Sequence, residues 1–244
     1  MTFRLTLLPL LALALAACAD DAASGPATLD LRGWGEDFIE VGIPAAETAD
    51  GWTITFTSVV PTLQDVTVAG TVVVPNPRAP ELVVPTEGAG VALGEFSVPS
   101  GVHEDLRFGI DRLQVSGSAD HADGRSVAFD WTFDTPVAWS RCEDPLDLPG
   151  DTRSTLVLTF HGDHLFFDSL VAEEPAIRFE RLALADTDGD GTITAAELAQ
   201  ADIGDYDPGS AGGIDNLWQW LEAQARLVGH VNGEGHCELV QPSR

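Results

Sequence analysis

Residues 186–197 read Asp-Thr-Asp-Gly-Asp-Gly-Thr-Ile-Thr-Ala-Ala-Glu. Asp186, Asp188 and Asp190 alternate with small residues, and Glu197 follows seven positions after the last of them. Carboxylates at this spacing repel one another unless a cation sits among them. A hard cation takes six to eight oxygens; alternate acids can wrap it and a distant glutamate can close the shell. A second group of residues suits softer metals. His161 and His164 lie in Thr159-Phe-His-Gly-Asp-His164, and His230, His236 and Cys237 lie near the C-terminus. Imidazoles with a carboxylate such as Asp163 or Asp168 suit Zn²⁺ or Cu²⁺. On a strand, residues three apart face opposite sides, so His161 and His164 converge only in a turn. Both readings of His161, His164 and His236 stay open, as metal ligands or as hydrogen-bonded residues where a strand gives way to a turn.

The acidic run resembles the EF-hand calcium loop at all twelve positions. The resemblance implies Ca²⁺ as the bound ion. It implies carboxylate ligands from Asp186, Asp188 and Asp190, the sharp turn at Gly191, a backbone carbonyl from Thr192, a water-mediated contact at Thr194 and a bidentate Glu197. Ile193 stands where such loops pair with a partner loop. The stretch that could supply a partner, Asp205 to Asn216, contains Pro208 and lacks the closing glutamate. One competent loop suits a structural calcium better than a cooperative sensor.

These sites need elements to position them. An entering segment runs from Ile177 to Ala185, with Arg178 and Arg181 where EF-hands place apolar residues. A short exiting helix is expected over Ala195–Ala201. Ile214, Leu217, Trp218, Leu221, Ala225 and Val228 recur at helical spacing, which predicts a second helix over Ile214–Val228 with Gly229 as its C-cap. Upstream, residues 31–170 read as strands. Trp52 to Val59 alternates apolar and polar residues; Thr67 to Val74 is β-branched except at Ala69-Gly70; Leu106–Val115, Ser126–Phe133 and Thr155–Phe160 continue the pattern. Asp123-Gly124 between two such runs signals a hairpin. The expected fold class is mainly β, a sandwich with a C-terminal helical segment (171–244) carrying the loop. The run Val98-Pro-Ser-Gly-Val-His103-Glu-Asp-Leu-Arg-Phe-Gly-Ile110 resembles a turn-plus-strand of bacterial exported sandwich lipoproteins with Ig-like or prealbumin-like topology.

The chain of 244 residues carries 39 acidic and 12 basic residues, for a net charge of −27, and every basic residue is arginine. Nothing in it could line a groove for nucleic-acid phosphates or form a polybasic lipid patch. At 44% hydrophobic it is too apolar for a disordered acidic tail. Residues 1–17 read as an export signal, with Arg4 ahead of an apolar run from Leu5 to Ala17. That run ends in Leu15-Ala16-Ala17-Cys18, which resembles the lipobox of bacterial lipoproteins. The resemblance implies acylation of Cys18 and a membrane-lipid partner, and Ala19, rather than Asp, after the cysteine favours the outer membrane. Residues 18–30 read as a flexible tether. With Cys18 acylated, Cys142 and Cys237 remain, and an oxidising compartment favours a disulfide between them. Two free thiols, joined to His236 in a metal site, are the alternative.

No G-x-S-x-G, HExxH, GxxxxGK or GxGxxG occurs, so catalysis has no motif behind it. The expected function is non-enzymatic: an envelope lipoprotein with a structural Ca²⁺ and a binding or structural role. The alternative is a periplasmic protein handling Cu or Zn through its histidines. A protein partner is not indicated.

Overall fold

A computed structural model describes residues 25–143 and 145–240. The stretch read as an export signal, Cys18 and most of the stretch read as a tether lie outside the described residues. The chain is mainly β, and thirteen strands, most of them in two principal sheets, dominate the described residues. The first sheet contains β1 (Ala27–Trp34), β4 (Val91–Val98), β10 (Arg153–Phe160) and β12 (Gly229–Val231), in the order β12-β10-β1-β4. The second is built on β2 (Trp52–Val68), β3 (Thr71–Val74), β6 (Arg107–His121), β7 (Ser126–Phe133) and β11 (Thr192–Ile193), in the order β11-β7-β6-β2-β3. β8 (Val137–Ser140) joins its β6 and carries β13 (Glu238–Leu239); β5 (Gly101–His103) and β9 (Leu146–Leu148) form a separate ribbon. Two sheets sharing one buried apolar cluster are consistent with a sandwich.

Local sequence explains the strands. In β7 the burial alternates without a break, with Val127, Phe129, Trp131 and Phe133 inside and polar or small residues outside. Ala69-Gly70, with φ of 51° and 69°, turns β2 into β3, and two positive φ values in a two-residue loop match the twist of a hairpin. At Asp123-Gly124 the His121 N–H donates to Arg125 O and β6 returns as β7. β2 is long enough to bend, and its register against β6 shifts at three places.

Two boundaries differ from the sequence reading. β1 begins at Ala27, inside the stretch read as tether, because Ala27, Leu29 and Leu31 are buried between β10 and β4. The C-terminal segment is less helical than its periodicity predicts. Its main helix, α4, spans Leu217–Gln224, with Asn216 accepting from the Gln219 N–H at its N-terminus. Gly229 is no helix cap. It is the first residue of β12, pressed against Trp139, where an added Cβ would come within 2.7 Å of the indole. Three short strands from this segment, β11, β12 and β13, complete sheets started upstream.

Candidate metal sites

The acidic loop is held in shape by its own side chains. Asp186 Oδ1 accepts from the Gly189 N–H and Oδ2 from the Gly191 N–H, both at 3.0 Å. Asp188 accepts from Asp190 and Asp190 from Thr192. Gly189 and Gly191 have φ of 70° and 83°, conformations that side chains disfavour. Glu197 closes the ring: Oε1 accepts from the Thr187 N–H (3.1 Å) and Oε2 from the Thr194 N–H (3.0 Å). These bonds, first of all the one from the Thr194 backbone, hold its carboxyl below the usual range, so it is ionised at neutral pH. Asp186, Asp188 and Glu197 each bring an oxygen within 4.8 Å of the others. The donor set, all oxygen and mostly anionic, fits a hard divalent cation.

The helices flanking the loop are single turns, α2 (Glu180–Ala183) before and α3 (Ala195–Leu198) after. The exit helix is thus shorter than the expected Ala195–Ala201. Thr194 starts it as a capping box with Glu197. The loop compensates by joining the sheet. Thr192 and Ile193 pair in parallel with Ala128 and Phe129 at the edge of β7. The Ala128 N–H donates to Gly191 O (2.8 Å), and the Trp131 indole N–H donates to Ile193 O (2.9 Å). Ile193 is fully buried. The β7 edge therefore holds the loop through backbone pairing. The Asp205–Asn216 stretch bonds elsewhere, its Asp207 N–H to Asp168 O.

The second cluster gathers four of the six histidines. His161 directly follows β10, and His164 lies in a 3-10 turn, Asp163–Phe166, which brings residues three apart together. β12 runs antiparallel to β10, so His230 faces Thr159 in register. Beyond it, Asn232 and Gly233, with φ of 49° and 89°, reverse the chain towards His236. Ring centroids are 4.2 Å apart for His161 and His230, 4.9 Å for His161 and His164, 5.1 Å for His164 and His230, and 4.8 Å for His230 and His236. His161 and His230 are 3% and 5% exposed. Glu36, the first residue of α1 (Glu36–Glu40), places Oε2 3.1 Å from His161 Nδ1.

Burial and the neighbouring histidines push His164 down to about 4 and His230 down to about 3, so both are neutral at pH 7. Burial would also lower His161, but the Glu36 carboxylate outweighs it and raises its pKa. Burial, with Glu36 nearby, pushes Asp163 up. Six buried side-chain polar atoms lack a partner among the described residues, and three of them lie here: Glu36 Oε1, Asp163 Oδ1 and His230 Nδ1. Each such atom costs about 1–3 kcal/mol, so their concentration at one place needs a physical reason.

The sequence reading grouped His161, His164 and His236. The structure brings the first two together but puts His230 at the centre; His236 touches only its outer side and is largely exposed. Asp168 is elsewhere, bonded to the Arg178 guanidinium and the Ala176 N–H. Glu36 was missed, and His230 was noted but left out of the ligand set, because a 125-residue separation and a three-residue strand leave no local periodic signal. Cys142 and Cys237 are joined by a disulfide, not held as thiols. No protein-family model, curated protein or solved structure matches the chain.

Proposed function

We propose that the protein is a lipid-anchored protein of the bacterial cell envelope whose C-terminal segment is locked onto a β-sandwich body by one Ca²⁺ ion. Asp186, Asp188, Asp190 and Glu197 ligate the ion through carboxylates, Thr192 through its carbonyl and Thr194 through water. Its role is binding or structural rather than enzymatic. The observation that carries the reading is the convergence of the Asp186, Asp188 and Glu197 carboxylates on a loop stapled to β7.

The chemistry of that loop explains why an ion would matter beyond the loop itself. α3 follows directly, and the Leu217 N–H at the start of α4 donates to Ala201 O just beyond α3. α4 in turn stacks Trp218 on Phe133 of β7 (5.0 Å) and donates from the Trp220 indole to Phe167 O. Neutralising the loop acids fixes both the β7 edge and the start of α4. Calorimetric titration with CaCl₂ tests the proposal. One site with a Kd of about 10⁻⁴–10⁻³ M, the range of extracellular modules, is expected, and Glu197→Gln abolishes it. Equal heats from both proteins would refute the ligand assignment. The anchor is tested separately by mass spectrometry of membrane-extracted protein, where Cys18→Ser should remove the lipid mass.

A further inference from the structure

We propose that His161, His164 and His230 hold a divalent transition-metal ion of the imidazole-seeking class, Cu²⁺ or Zn²⁺, with Asp163 at its edge and Glu36 as the residue positioning His161. This site is separate from the calcium loop and goes beyond the structural reading of that loop.

The hydrogen bonds around the rings leave a ligand atom free on His164 and on His230. Leu227 O can only accept, so His164 Nδ1, 2.9 Å away, carries the proton and Nε2 keeps a lone pair. Glu36 Oε2 takes the same role towards His161 Nδ1. Imidazole fixed by a carboxylate or carbonyl on one nitrogen is the usual arrangement of a metal-ligating histidine. Gly233 O, 3.3 Å from His161 Nε2, can only accept, so a metal ion at that nitrogen takes the place of its proton. His230, at 5% exposure, has Nδ1 with no partner. Asp163 brings a carboxylate oxygen, and His161 and His164 a ring nitrogen each, within 4.8 Å of one another. His161 and His230 converge in the same way with Glu234. The two groups meet at His161, and imidazoles beside a carboxylate match the nitrogen-rich donor sets that select Zn²⁺ and Cu²⁺ over Ca²⁺ or Mg²⁺. The backbone is shaped for this purpose as well: the Gly233 N–H bonds to Thr159 Oγ1 and the His161 N–H to Val228 O, which fixes β12 against the end of β10.

The test titrates the purified protein with CuSO₄ or ZnCl₂ against a chelator of known affinity, in excess Ca²⁺. With the calcium loop saturated, the outcome is independent of the Ca²⁺ reading. One equivalent of tight binding is expected, with nitrogen hyperfine structure in the Cu²⁺ spectrum; comparing the two ions tells which is preferred. His230→Asn and His164→Asn should each weaken binding at least about 100-fold, and Glu36→Gln about 10–100-fold with the nitrogen ligation retained. His103→Asn, on the remote ribbon, should change nothing. Circular dichroism confirms that each variant is folded, and Glu36→Gln is the mild substitution if His230→Asn is not. Wild-type affinity in His164→Asn and Glu36→Gln, or binding of neither ion by the unaltered protein, would overturn the proposal.

Discussion

Asp30 shows how a single buried charge is tolerated in this acidic chain. It lies 5% exposed in β1, and Arg32 and Arg153 both donate to its Oδ2 at 3.1 Å. Burial alone would raise its pKa, but the two guanidinium bonds outweigh it and hold the carboxyl below its ordinary value. A depressed folded pKa contributes stability above the unfolded pKa of about 3.9, and that contribution is lost as pH falls through the folded value. Asp30→Asn should therefore cost about 1–3 kcal/mol at pH 7. Urea denaturation should show the gap between the two proteins closing below about pH 3. An equal gap at both pH values would mean that the loss is steric rather than electrostatic. The convergence of Asp186, Asp188 and Glu197 was readable at this scale because these acids lie within twelve consecutive residues. Asp30 was not, since its partner Arg153 is 123 positions away.

The elements carry the site through contacts that propensity does not encode. α2 is only four residues long and has no cap from its own N-cap residue. Asp50, from the loop before β2, supplies one instead: its Oδ2 accepts from the Phe179 and Glu180 N–H groups at 2.8 and 2.7 Å. Glu180 then bonds the Trp52 indole N–H and Arg125. Asp50→Ala should cost about 1–2 kcal/mol in thermal or urea denaturation, as capping losses do. β12 gives a second case. Its Gly229 faces the Trp139 ring, which is buried and stacked on Phe108 at 4.9 Å. Gly229→Ala should lower stability by about 1–3 kcal/mol through overpacking, measured by the same denaturation. β7 and the Asp123-Gly124 turn were legible because one face of the sheet is buried and Gly124 takes a positive φ, whereas Ala69-Gly70 was read only as a break in a β-branched run and not as the turn between β2 and β3. The long helix over Ile214–Val228 was overestimated. Apolar residues at helical spacing also served the extended stretches on either side of α4, and tertiary pairing decided between the two states.

At the scale of the whole molecule, the chain returns on itself. β10 completes the first sheet beside β1 in parallel, and the C-terminal segment adds β12 to it and β11 and β13 to the other. The Cys142–Cys237 bond closes this arrangement across 95 residues. Chain-entropy reasoning gives it about 4–5 kcal/mol, so a Cys142→Ser/Cys237→Ser protein should melt about 10–20 °C lower. A melting temperature within 2 °C of the wild type would show that the sheet pairings alone hold the terminus. Composition and motifs made the β class and the clustering of the acids in residues 186–197 legible. They could not reveal that β7 serves as the loop's partner, or that β12 carries His230 into the histidine cluster, because strand pairing over such distances has no periodic trace. The central claim is that calcium joins loop, sheet and helix into one unit. Thermal unfolding in 10 mM CaCl₂ and in EDTA tests it most directly. A rise of about 3–10 °C with calcium is expected from one site of that affinity, absent in Glu197→Gln, whereas superimposable curves for the unaltered protein would contradict the account.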